Sequence, residues 1–137
     1  MNRREAYRLI CRMVEREYAD IVQKTNFNEE SARIYLTDGS FLEIWLYKHE
    51  NLMEKYAFHW ERRHINGKIF RHDNAPHAKW RRVKTFPKHF HNENESNVIE
   101  SQIPDDPILA TKHFLNFIRK FLKKRESHNN RRLTLPR

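Results

Sequence analysis

At 137 residues, with 38% apolar and 33% charged side chains, the chain has room for one domain with a real core, and 12% aromatics argue against disorder. A net charge of +9 and a pI near 9.9 point to a polyanionic partner. No run approaches the roughly 18–20 apolar residues that cross a bilayer, Cys11 is the only cysteine, and the first residues lack the apolar core of a secretory signal. These features argue against a membrane protein, an intrachain disulfide and a multi-cysteine metal site, and a soluble cytoplasmic protein is expected.

In chain order, residues 3–17 predict a helix, with Ala6, Ile10, Met13 and Val14 at spacings of three and four. Cys11 falls on its apolar side, as a buried and inert thiol. Short strands are expected at 21–27 and 31–36, the second alternating Ala32, Ile34 and Leu36 against Arg33 and Tyr35. Asp38-Gly39 marks a tight hairpin into a strand at 41–47, where Leu42, Ile44 and Leu46 share one face. Residues 48–54 read as a polar connection. The segment 55–63 alternates again, Tyr56, Phe58 and Trp60 on one side and His59 on the other. Asn66-Gly67 signals a second hairpin, into a strand at 68–72. Beyond residue 91 come a polar loop at 92–97, a possible edge strand at 98–103, and a helix opened by Asp106 and Pro107 that carries a wide apolar stripe to residue 124. The predicted class is α+β: a four- to five-stranded antiparallel β-meander packed against an N-terminal and a C-terminal helix. Residues 1–124 would form the domain and 125–137 a basic, flexible tail.

The stretch 68–91 falls outside this periodicity. It holds four of the nine histidines and seven Lys/Arg against the single acid Asp73, so +6 of the chain's +9 lies in 24 residues. Pro76 and Pro87 bias the residues before them away from the helical region, which stiffens a loop. In an extended segment His89 and His91 project to one side about 6–7 Å apart, a pair able to divide acid and base work or to chelate a metal. His59, on a neighbouring strand, can face the same region. A metal-independent ribonuclease needs one histidine to take a proton from a 2′-hydroxyl, another to protonate the leaving oxygen, and a cation on the phosphate. Arg71, Arg82 or Lys88 can supply the cation, and Trp80 and Phe86 can stack a base. There is no Gly-rich phosphate loop, Cys-x-x-Cys, His-Glu-x-x-His or Gly-x-Ser-x-Gly, which argues against P-loop and zincin chemistry.

Arg71-His72-Asp73-Asn74-Ala75-Pro76-His77, followed by Thr85-Phe86-Pro87-Lys88-His89-Phe90-His91, resembles the TumE family of small toxins. Upstream, Asp38-Gly39-Ser40 and the aromatic-rich Tyr56-Ala57-Phe58-His59-Trp60 match family features as well. The resemblance covers roughly residues 20 to 120. His72 departs from the family's usual aromatic. The resemblance implies a toxin paired with an antitoxin and marks Arg71, Asp73, Asn74, His77, His89 and His91 as motif residues.

Together these readings predict a type II toxin acting as an endoribonuclease. His77, His89 and His91 are the acid and base candidates, Arg71 the phosphate clamp, and Asp73 a residue that orients a histidine. Trp80, Arg81, Arg82, Lys84 and Lys88 would contact RNA, while Asn74, Pro76 and Pro87 shape the loop. No cofactor and no resident metal are expected; a cognate antitoxin and RNA are the expected partners. Two alternatives stay open: a non-catalytic RNA- or protein-binding module, and a metal-dependent nuclease with Asp73, His89 and His91 as ligands.

Overall fold

Asn2 starts the first helix by accepting the Glu5 N–H at 2.8 Å, and α1 (Arg3–Glu17) buries Ala6, Tyr7, Ile10, Cys11, Met13 and Val14. A computed structural model describes residues 2–47 and 55–134, with side chains as far as Arg125. The Tyr7 hydroxyl donates to the Glu30 carbonyl at 2.7 Å and accepts the Leu46 N–H at 2.9 Å, so one helical side chain ties down a turn and a strand. Cys11 is buried as expected, and desolvation raises its pKa.

The strands are β1 (Val22–Phe27), β2 (Ser31–Leu36), β3 (Phe41–Tyr47), β4 (Lys55–Arg62), β5 (Lys68–Asp73), β6 (His89–Glu93) and β7 (Val98–Glu100). They form one seven-stranded sheet in chain order, every neighbouring pair antiparallel. The α+β class and meander hold, with more strands than expected. The missed strand is β6: Phe90 is its only apolar residue, so no alternation of apolar and polar side chains announced it. The predicted connection at 48–54 lies outside the described residues.

Alternation decides the layers. Ala32, Ile34, Leu36, Leu42, Ile44, Leu46, Phe58, Trp60 and Phe70 form the core with the buried faces of α1 and the last helix, α3 (Pro107–Thr134). Asp106 caps α3 through the Leu109 N–H at 2.9 Å, and its helical path continues past residue 124 into the segment expected as a tail. Its apolar stripe crosses the sheet: Phe117 and Phe121 lie edge-on to Trp60 at 6.3 and 5.1 Å, and Phe70 stacks on Trp60 at 5.2 Å. Each such aromatic pair adds about 0.5–1.5 kcal/mol beyond the area it buries.

Both turn signals produce reversals. At the first, Gly39 takes φ 90° and Asp38 accepts the Ser40 N–H at 3.0 Å. At the second, the expected two-residue hairpin is replaced by a single helical turn, α2 (Arg63–Asn66). Gly67 closes it in the left-handed region at φ 76°, with Asn66 accepting the Lys68 N–H. Glu61 favours that turn by accepting the Arg63 N–H at 2.9 Å.

Candidate functional site

The face of the sheet turned away from the helices carries a polar row. Register places Glu43 opposite His59, His59 opposite Arg71, and Arg71 opposite His91; one step along, Asp73 lies opposite His89. Residues two apart share a face, so Arg71 and Asp73 on β5 meet His89 and His91 on β6 in a single patch. Arg71 Nε donates to Asp73 Oδ2 at 3.0 Å, and its NH1 lies 3.4 Å from His59 Nδ1. The guanidinium also sits over the Trp45 ring, 5.6 Å from its centroid. His59 in turn bonds Glu61 at 3.1 Å.

Backbone carbonyls set the tautomers of both β6 histidines. His89 Nδ1 is 2.8 Å from the Pro87 oxygen and His91 Nδ1 is 2.9 Å from the Glu95 oxygen. A carbonyl only accepts, so each Nδ1 carries a proton and each neutral ring keeps its lone pair on Nε2. His89 Nε2 faces Asp73 Oδ1 at 3.5 Å, and ligand-capable atoms of Asp73, His89 and His91 all lie within 4.8 Å of one another. Asp73 is itself oriented twice, by Arg71 and by the Ala75 N–H at 2.7 Å. Burial lowers the pKa of His91 below its ordinary value, opposed by the Glu95 carbonyl, and burial does the same to His59 against its bond to Glu61.

The segment 74–88 folds back over this patch. A 3₁₀ turn (Ala78–Trp80) sets Trp80 with its ring centroid 6.1 Å from His89 and 5.8 Å from His91. Thr85 donates to the Lys88 carbonyl at 2.6 Å and accepts the Ser101 N–H at 3.0 Å; the Phe86–Pro87 peptide is cis. Under the turn is a cleft of about 470 Å³ lined by His59, Arg71, His77, Lys79, Trp80 and His91 among others. A second groove of about 680 Å³ shares Lys79 and Trp80 with it and adds Arg82 and Lys84.

Of the residues singled out by sequence, Arg71, Asp73, His89 and His91 converge, and His77 joins two of them, Arg71 and His91, at the cleft wall. His77 Nδ1 accepts the Lys79 N–H at 3.2 Å, which puts the neutral ring's proton on Nε2, the reverse of His91. Trp80, Arg82 and Lys84 line the grooves, whereas Arg81 is exposed and bonds back to Ala78. Lys88 points elsewhere: its ammonium reaches the Ile103 carbonyl at 2.5 Å and Asp105 at 3.3 Å, tethering the loop to the start of α3. Asn74 accepts the Tyr56 N–H at 2.9 Å, and Pro76 and Pro87 lie within the covering segment. Sequence reasoning did not pick out Lys79 or the Glu95 carbonyl. The second had a faint signal in Asn94-Glu95-Ser96, where Asn94 Oδ1 accepts the N–H groups of Ser96 and Asn97 and folds the loop toward His91.

The model of the family described as Toxin TumE matches residues 5–122, which spans the whole sheet, the cleft and most of α3. The chain belongs to the TumE family. It is a toxin by that membership, and its matched region includes every residue of the polar patch. No curated protein and no solved structure matches the chain. No helix among the described residues is long and apolar enough to cross a membrane.

Proposed function

We propose that this TumE-family toxin cuts RNA at the cleft beneath Trp80 and is neutralised by a cognate antitoxin. The observation that carries this reading is the pair of opposed histidine tautomers on one cleft wall: His91 offers a lone pair at Nε2, while His77 offers an N–H there. Cleavage by a 2′-hydroxyl needs both a proton acceptor and a donor, and a fixed cation for the phosphate charge. Arg71, held by Asp73 and stacked on Trp45, supplies that cation without reorganising. Trp80 presents a ring for a base to stack on, with Lys79 5.0 Å from its centroid. The acceptor function is centred on His91 Nε2, acting directly or through what His91 and its neighbours hold.

The test is cleavage of a defined RNA by the purified protein. Arg71→Ala and His91→Ala are expected to slow cutting by roughly 10²-fold or more and to relieve growth arrest, while leaving the fold intact by circular dichroism. A protein that binds RNA in a salt-dependent way without cutting any substrate would instead identify a binding module.

A further inference from the structure

We propose that Asp73, His89 and His91 form a binding site for a divalent transition-metal ion. The argument begins at the 3.5 Å approach of His89 Nε2 to Asp73 Oδ1. With Nδ1 committed to the Pro87 carbonyl, the neutral ring turns a lone pair toward a carboxylate oxygen, in a place where the two side chains are only 2% and 13% exposed. Two acceptors facing each other in low dielectric repel unless something positive lies between them. A shared proton would draw them to about 2.7–2.9 Å. Ligand atoms on a tetrahedral ion with bonds near 2.0–2.1 Å sit roughly 3.3 Å apart, close to the spacing of the His89–Asp73 pair, and His91 brings a third ligand atom within 4.8 Å of both.

The surroundings have the form that metal ligands require. Each imidazole donates its remote N–H to a backbone carbonyl, and the carboxylate is held by Arg71 and the Ala75 N–H, so all three ligands have an orienting partner. Because Arg71 takes Oδ2, Asp73 binds through Oδ1 alone. Two imidazole nitrogens and one carboxylate oxygen suit zinc, manganese, iron(II) or cobalt, whereas magnesium and calcium prefer all-oxygen sites. Three protein ligands leave coordination positions for water on the side of His91 that lines the cleft. This departs from the metal-free chemistry first expected from residue types and takes up the alternative in which these three residues are ligands. Its catalytic meaning rests on the RNA-cutting reading, since a metal-bound water would then be the proton acceptor and His91 a ligand.

The experiment is titration of the metal-stripped full chain with Zn²⁺, Mn²⁺ and Mg²⁺ by calorimetry, and with Co²⁺ by visible absorption. Expected are one tight transition-metal ion per chain, no comparable Mg²⁺ binding, and a cobalt spectrum of low coordination number. His89→Ala, His91→Gln and Asp73→Asn should each weaken binding at least a hundredfold, while His64→Gln, at an exposed histidine bonded to Gly39, should leave it unchanged. His91→Gln keeps most of the side-chain volume, so it remains informative where His89→Ala fails to fold. Equal binding by wild type and all three variants, or no saturable binding, overturns the proposal. If the stripped protein binds no ion yet cuts RNA in chelator, the metal site is refuted and the nuclease reading survives. If it binds the ion and cuts no RNA, the metal site stands and the nuclease reading falls.

Discussion

Strands β5 and β6 show the same side chain put to two uses on opposite faces of one sheet. His72 faces the helices, stacked on Phe90 at 4.2 Å and edge-on to Phe114 at 4.9 Å, with Nδ1 2.7 Å from the Ser101 hydroxyl. Burial pushes its pKa down to about 3, helped by nearby His113, so it behaves as a core aromatic. His89 and His91, one residue out of phase with it, sit under Trp80 instead. Burial does not separate the two uses: His72, His89 and His91 are 6%, 1% and 9% exposed. What separates them is the partner of the ring. His72 is surrounded by rings and a hydroxyl, while His89 faces a carboxylate that is itself held in place. A buried histidine therefore becomes a candidate for chemistry through where its second nitrogen is aimed.

The contrast between the faces can be tested in order of expected effect. Removing the helix-side keystone should cost most: Trp60→Ala is expected to lose about 3–5 kcal/mol, read from denaturant unfolding, because the ring is fully buried between Phe70 and Phe121. On the other face the loss should be of function. His91→Ala is expected to reduce RNA cleavage by roughly 10²–10⁴-fold while moving the unfolding midpoint far less than Trp60→Ala. Undiminished cleavage by that variant would remove His91 from the site.

A smaller effect should appear at Glu61, whose carboxyl is held down to about 2, mainly by the Arg63 side chain, against the cost of burial. A carboxylate depressed in the fold contributes stability above its unfolded pKa and loses it as pH falls. Glu61→Gln should therefore destabilise by about 1 kcal/mol at pH 7, Arg63 being largely exposed, and the difference from wild type should shrink from pH 4.5 toward pH 2. Urea titrations at pH 7 and pH 3 measure both arms. The smallest change separates two lysines of the covering segment. Lys84→Ala should lower the salt slope of RNA affinity by about one, while Lys88→Ala should leave it unaltered because that ammonium is spent on Ile103 and Asp105. A reversed result would move the RNA path to the helix side.

Much of the scaffold was legible because its signals are local. The three-four spacing in α1, Asp38-Gly39 and the alternation of Leu42, Ile44 and Leu46 each act within a few residues. The site was legible as a set of residue types and less so as geometry. Arg71, Asp73, His89 and His91 stood out by composition, but their common face follows from β6 pairing with β5, and β6 carries only Phe90 as an inward apolar marker. Lys88 looked like its basic neighbours in sequence; only the fold brings the Ile103 carbonyl within its reach. The carbonyls of Pro87 and Glu95, which fix the tautomers of His89 and His91, are backbone atoms that no side-chain pattern encodes.

In the seven-stranded ladder each strand lies beside the one that precedes it in the chain. A chain emerging from the ribosome can therefore add its strands one at a time, each closing a short loop onto an edge already formed, in a topology that folds without long searches. Arg71 and Asp73 come out well before His89 and His91, so for that interval the nascent chain carries half of the patch. The patch closes only when β6 docks, after more than half of the chain has been made. The polar patch is therefore incomplete for most of the chain's own synthesis.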